Sequence, residues 1–251
     1  MSKLVLLRHG ESIWNLENRF TGWVDIGLSA NGISEAKYAG KLLKDEGYGF
    51  DLAFTSFLSR AQRTLDLCLS EMNNNKLKIV KDWRLNERHY GSLQGLNKDD
   101  MVKKFGKKQV LLWRRSYDIT PPKLKESNEN HPKNDTKYSH LDDSIIPSAE
   151  SLKDVVKRLL PLWNKIILNE LKLGKRVLIV AHGNSLRAIY KVFNKINHND
   201  ILKFNIPTGI PLVFELDKNL KPKKDYYLGN QEYIKNKIQA VIDQTSSKSK
   251  N

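Results

Sequence analysis

Leu4-Val5-Leu6-Leu7, followed at once by Arg8-His9-Gly10-Glu11-Ser12, reads as a short buried strand that ends in charge. The same arrangement returns far downstream as Arg176-Val177-Leu178-Ile179-Val180-Ala181-His182-Gly183-Asn184-Ser185. Each apolar run delivers a histidine and then a glycine at its C-terminal end. In an open α/β sheet, that edge is where ligands bind. A single strand-terminal histidine is more often a surface or core residue. Two with the same local pattern point to one site that uses both imidazoles.

Working outward, strand and helix patterns alternate. Ser29 is placed to cap a helix whose apolar face carries Ala36, Ala39, Gly40, Leu42 and Leu43, and Gly47-Tyr48-Gly49 stops it. Leu52 to Ser56 reads as a second strand, about Ser59 to Met72 as a helix, and Leu77 to Val80 as a short strand. Trp14 to Asp25 reads as an ordered loop. From Trp83 to Ile146 the pattern changes to loops and polar helical stretches, with Pro121 to Pro147 an irregular excursion. It then resumes with a long amphipathic helix over Glu150 to Leu171 and the strand Val177–Val180. A helix from Ser185 to about Lys195 follows, then a last strand Pro211–Glu215, read as an antiparallel edge. The expectation is an α/β fold: a mostly parallel open sheet with helices on both faces and an insertion over the C-terminal sheet edge. One domain spans 1–251, with the insertion at about 97–147 and a C-terminal tail at about 231–251.

Composition narrows the function classes. The chain has 251 residues, enough for a sizeable core, and one cysteine, Cys68, which allows neither an internal disulfide nor a cysteine-based zinc site. Leu4–Leu7 is too short for a secretory core, and no segment approaches a membrane span, so the expected setting is cytoplasmic with no membrane partner. The net charge of +15 fits either a lysine-rich solvated surface or a negatively charged partner. No nucleic-acid motif accompanies it, so nucleic acid is not expected as a partner. No Walker loop, dinucleotide fingerprint or metal-ligand cluster is visible.

Arg8 adjoins His9, and Arg60 opens the helix after the second strand, at the same sheet edge as His182. Guanidiniums, imidazoles and helix N-terminal amides together suit a tetrahedral dianion, which means phosphate. A neutral imidazole nitrogen can accept a phosphoryl group and pass it on. Expelling an alkoxide then needs a carboxylic acid. Glu87 is the favoured candidate and Glu11 its competitor. Lys98 and the Arg114-Arg115 pair, inside the insertion, suit a second anion such as a carboxylate.

These residues carry a resemblance. Leu7-Arg8-His9-Gly10-Glu11-Ser12 with Ala181-His182-Gly183-Asn184-Ser185 resembles the histidine phosphatase superfamily. Five further blocks resemble its 2,3-bisphosphoglycerate-dependent phosphoglycerate mutases: Arg19 to Trp23, Leu85 to Gly91, Leu93 to Lys98, Trp113 to Arg115, and Asn205 to Pro211. The resemblance implies His9 as the phosphorylated nucleophile, Glu87 as proton donor and acceptor, and His182 as transition-state stabiliser, with Arg8 and Arg60 in the catalytic pocket. It implies substrate contacts from Arg8, Ser12, Asn15, Thr21, Gly22, Arg60, Glu87, Arg88, Tyr90, Lys98, Arg114, Arg115, Gly183 and Asn184. It further implies phosphorylated glycerate substrates, 2,3-bisphosphoglycerate as phosphoryl primer, no metal, a homodimer or homotetramer, and a tail that closes over the site.

The implied reaction is the glycolytic and gluconeogenic interconversion of 3-phosphoglycerate and 2-phosphoglycerate. The nearest alternative is a bisphosphoglycerate mutase or phosphatase; that branch typically carries Gly at the position of Ser12 and Cys-Ser at Thr21-Gly22. A broader histidine phosphatase comes next. A non-catalytic polyanion-binding scaffold is the alternative of another class, and intact His9, Glu87 and His182 argue against it.

Overall fold

The computed structural model describes residues 3–243, so the last part of the expected tail, 244–251, lies outside the described residues. Six strands form one sheet: β1 (Lys3–Arg8), β2 (Leu52–Thr55), β3 (Ile79–Lys81), β4 (Val177–Ala181), β5 (Pro211–Leu216) and β6 (Pro222–Tyr227), in the order β3-β2-β4-β1-β5-β6. The first four run parallel, while β5 is antiparallel to β1 and β6 to β5.

Alternation along β1 explains why both faces are covered. Leu4 and Leu6 join one apolar cluster with Trp163, Ile167, Leu186 and Ile189. Val5 and Leu7 point the other way, onto Ala39, Leu43, Leu65 and Cys68. These partners come from helical segments on opposite faces: α2 (Ala30–Asp45) and α3 (Ser59–Glu71) on one, and on the other α8 (Gly183–Phe193) with the turn Trp163–Ile167 that continues α6 (Leu152–Leu162). A strand buried on both faces reads as a continuous apolar run, which is what Leu4–Leu7 and Val177–Val180 are.

Several boundaries differ from the sequence expectation, each for a local reason. Pro211–Leu216 is antiparallel but not the edge, because β6 covers it. That strand, Pro-Lys-Lys-Asp-Tyr-Tyr, hid behind the charge that sheet edges use to resist pairing with other chains. The short helix α1 (Ile13–Leu16) stands in the expected loop, capped by Ser12 and Asn15, each of whose side chains accepts the other's backbone N–H. The long helix starts at Leu152, because Ser151 and Asp154 form its capping box. A π-helical turn, Trp163–Ile167, follows Pro161 and separates α6 from α7 (Leu168–Lys172). α8 begins at Gly183, two residues earlier than expected, which brings its free N–H groups next to His182. The insertion contributes α4 (Lys98–Phe105) and α5 (Lys107–Arg115), held by a small cluster of Phe20, Leu93, Met101, Val110 and Trp113. Next along the chain, α9 (His198–Lys203) precedes β5, and α10 (Gln231–Asp243) follows β6. The sequence gives α10 too little apolar surface to stand alone. It forms against the body of the protein, where Ile234 is buried.

Candidate active site

Strand register brings the two histidines together. Arg8 pairs opposite Ala181 in neighbouring parallel strands, and the next residue on each strand is a histidine. The His9 N–H donates to the Ala181 carbonyl at 3.0 Å, and the two imidazole centroids lie 4.9 Å apart. β2 delivers a third polar residue at the same edge. Ser56 Oγ lies 2.7 Å from His182 Nε2 and also accepts the Leu58 N–H.

The His9 loop is locked from below. Gly10 N–H donates to Thr64 Oγ1 at 3.0 Å, and that hydroxyl donates to the Arg60 carbonyl. His9 Nδ1 lies 2.7 Å from the Gly10 carbonyl. A carbonyl only accepts, so Nδ1 carries the proton and Nε2 keeps its lone pair. Burial, then the Arg60 and Arg8 charges, hold the His9 imidazole well below its ordinary 6.5, with the Gly10 hydrogen bond opposing them. A neutral nucleophile at neutral pH follows. Arg60 is buried and aimed by backbone: it donates to the Gly22 carbonyl at 2.7 Å and to the Val24 carbonyl at 3.0 Å. That loop needs glycine. Gly22 has φ +60°, and a Cβ there would sit 1.9 Å from Gln94 Oε1.

The two candidate acids separate cleanly. The Glu11 carboxylate turns toward the start of α2 and accepts the Ser29 hydroxyl at 2.7 Å. Glu87 lines the cavity, and its Oε1 accepts two backbone N–H groups, from Arg88 at 2.7 Å and Asn184 at 3.1 Å. The second of these is the amide that α8 leaves free in its first turn.

The cavity, counted with the open solvent at its mouth, measures about 680 Å³. It is lined by Arg8, His9, Asn15, Thr21, Gly22, Arg60, Glu87, Tyr90, Lys98, Arg114, Arg115, Gly183 and Asn184, all singled out from the sequence. Three expected residues lie off the wall. His182 is fully buried behind His9. Ser12 spends its hydroxyl capping α1. Arg88 is fully buried and donates to the Trp113 and Arg114 carbonyls at the end of α5. Local partners hold both side chains: Ser12 Oγ accepts the Asn15 N–H, and Arg88 Nη2 donates to two carbonyls of α5.

A profile of the histidine phosphatase superfamily (branch 1) matches residues 4–133 and 123–220. A 2,3-bisphosphoglycerate-dependent phosphoglycerate mutase of Borreliella burgdorferi is 54% identical over 97% of this chain and 98% of its own length. A protein of the same description from Borrelia garinii is equally similar over the same shares. The chain belongs to the 2,3-bisphosphoglycerate-dependent phosphoglycerate mutase family of the histidine phosphatase superfamily. Among solved structures, a mycobacterial glucosyl-3-phosphoglycerate phosphatase superposes with a TM-score of 0.68 at 22% identity, over 90% of this chain and 97% of that one. The α-ribazole phosphatase of Shigella flexneri gives 0.64 at 22%, over 91% and 96%. At that identity the two share the fold alone.

Within this mutase-family site, Arg19, Phe20, Asn205 and Ile206 also line the wall from inside the motif blocks, though none was singled out as a site residue, and Arg187 and Val241 join them from places no motif marks. Arg187 sits one helical turn beyond Gly183, so the i,i+4 spacing was a usable signal. It donates to Asn184 Oδ1 at 2.9 Å and to the Ile201 carbonyl at 2.6 Å. Seven basic side chains (Arg8, Arg19, Arg60, Lys98, Arg114, Arg115 and Arg187) thus face one carboxylate, Glu87, among the lining residues. Burial, then repulsion from Arg114, Arg8 and Arg115, holds Lys98 well below its ordinary value. Burial, then Arg115, lowers Arg187 to about 9. An anion in the cavity relieves that repulsion. Val241 of α10 closes one side, and its carbonyl is 3.5 Å from Arg115 Nη2. Lys237 pairs with the buried carboxylate of Glu35, which also accepts the Glu11 N–H.

Proposed function

We propose that this protein interconverts 3-phosphoglycerate and 2-phosphoglycerate through a phosphohistidine at His9. The observation that carries the reading is a neutral imidazole in a cavity rich in arginine, with one carboxylate, Glu87, on the same wall. His9 Nε2 attacks phosphorus. The phosphorus–oxygen bond breaks, and the departing alkoxide takes a proton from Glu87. Arg8, Arg60 and the first-turn amides of α8 stabilise charge on the transferring oxygens. His182, with its ring centroid 4.9 Å from that of His9, is assigned to the same developing charge. On the return step Glu87 removes a proton from the other hydroxyl, which attacks the phosphohistidine.

The cavity residues suit a polyanionic primer. Arg8 Nε is buried with no partner among the described residues, and the cations outnumber the carboxylate. When bound, 2,3-bisphosphoglycerate supplies the phosphoryl group that charges His9; Arg8, Arg60, Lys98, Arg114 and Arg115 would hold it. Gly22 supports the mutase over the bisphosphoglycerate mutase or phosphatase branch, because a serine there meets both the left-handed backbone and Gln94. Cytoplasmic location and a homodimer or homotetramer belong to the same proposal. No helix among the described residues is long and apolar enough to cross a membrane.

The test follows conversion of 3-phosphoglycerate with and without a trace of 2,3-bisphosphoglycerate, in EDTA. Conversion should require the trace and ignore the chelator, because arginine and histidine supply the positive charge. Loss in EDTA, restored by Mn²⁺, would point to a different chemistry. A protein that forms no phosphohistidine would be a polyanion-binding scaffold.

Arg114 and Arg115 are assigned to the substrate carboxylate. Alanine at either position should slow reaction with 3-phosphoglycerate at least 10-fold more than with a phosphate ester lacking a carboxylate, roughly the worth of one lost charge-assisted pair. Equal losses on both esters would assign the pair to the phosphate pocket or the fold.

α10 is assigned the role of a lid that keeps water from the phosphohistidine. Removing the residues after Tyr233 takes away Val241 and Lys237. Phosphorylation of His9 should survive, mutase turnover should fall, and phosphoenzyme hydrolysis should hold or rise. An unchanged ratio of mutase to phosphatase activity would make the tail a plain terminus.

A further inference from the structure

Glu87 lies in a loop without regular structure, yet proton transfer demands a fixed carboxylate. What fixes it lies outside the cavity. Arg158, on α6, reaches the loop with its whole guanidinium. It donates to the Arg84 carbonyl, to the Asn86 carbonyl at 2.9 Å and to the Glu87 carbonyl at 3.0 Å. Its Nε donates to Glu150 Oε1 at 2.6 Å, and both side chains are almost wholly buried. Glu150 Oε2 accepts the His89 N–H at 2.8 Å, and the Glu150 N–H donates to the His89 carbonyl. Trp23 Nε1 adds a second donor to the Glu87 carbonyl.

The peptide unit between Glu87 and Arg88 links these bonds to the chemistry. Its carbonyl end is held by Arg158 and Trp23. Its N–H end donates to the Glu87 carboxylate oxygen Oε1. A peptide is planar, so clamping one end orients the other. A buried ion pair contributes little net stability compared with apolar packing, while its geometry is specific.

We propose that the Arg158–Glu150 pair is the positioning device for proton transfer by Glu87. The inference rests on the acid role assigned to Glu87 above. In that step the phosphorus–oxygen bond breaks, the bond to His9 Nε2 forms, and the alkoxide takes the Glu87 proton. A leaving group that departs as a stable phenolate needs no such proton. Loosening Glu87 therefore slows His9 phosphorylation by an alkyl phosphate and spares phosphorylation by an aryl phosphate.

Single-turnover formation of phosphohistidine, read from 2,3-bisphosphoglycerate and from p-nitrophenyl phosphate, tests this. In Arg158→Met the alkyl donor should slow by roughly 10- to 100-fold, the scale of a small misplacement of a catalytic group. The aryl donor should change less than about 3-fold on the same argument. Glu150→Gln should show the same asymmetry at smaller size. If Arg158→Met does not fold, Arg158→Lys keeps the charge without the fork and should show the asymmetry. Equal losses on both donors, or no loss on either, in the variants that fold would overturn the proposal. Glu87→Gln is run beside them: if it too loses equally on both donors, the acid role fails. If it alone discriminates, the positioning role fails.

Discussion

Alanine at position 9 abolishes both phosphoenzyme formation and turnover, a fall of roughly 10⁴-fold or more for loss of a nucleophile. No other group among the lining residues is equipped to replace it. His182 is buried behind His9, with Ser56 2.7 Å from its Nε2 and burial holding its imidazole well below the ordinary value. Acid-quenched phosphoenzyme and 3-phosphoglycerate turnover, measured on the same preparation, check the expectation. Substantial mutase activity in pure His9→Ala protein would sink the assignment. A pH signature accompanies it. His9 is depressed by burial, then by Arg60 and Arg8, so the folded enzyme keeps a neutral imidazole below pH 6.5. Phosphorylation of His9 should show no loss on going from pH 7.5 to 6.5. An acid limb centred at the ordinary histidine value would mean the site is more solvated than its geometry.

Glu87→Gln should leave substrate binding nearly intact and cut turnover by roughly 10²- to 10⁴-fold, the usual worth of a positioned acid–base group. Glutamine keeps the side-chain oxygen that accepts the Arg88 and Asn184 N–H groups, so the loop has little reason to move. A binding isotherm and steady-state rates separate the two effects. A larger loss in Glu11→Gln would reverse the roles, against the hydrogen bond that turns Glu11 toward Ser29.

Much of the site was legible because its signals are short-range. Strand-then-histidine patterns at Leu4–His9 and Val177–His182 need only alternation and burial, and both strands formed where expected. Arg60 was readable as the first turn of a helix after a strand. Some local signals were left unread. Ser12 and Asn15 form a capping box visible in four consecutive residues, yet the segment after it was expected as a loop. β6 was missed because a solvated edge strand shows charge where alternation is sought.

By itself, the sequence determined the α/β class, the parallel strands that end in His9 and His182, and the residue types of a phosphate pocket. Propensity, alternation and capping act over a few neighbours and survive in the linear order. Tertiary structure alone decided which carboxylate faces the cavity. It turned Arg88 to the end of α5 and brought Val241 to the wall. It also set Arg158 and Glu150 on the Glu87 loop. The bond from Asn184 to Glu87 joins segments 97 residues apart. Which donor meets which acceptor at that separation depends on strand register and helix packing across the whole sheet, and no local pattern encodes it.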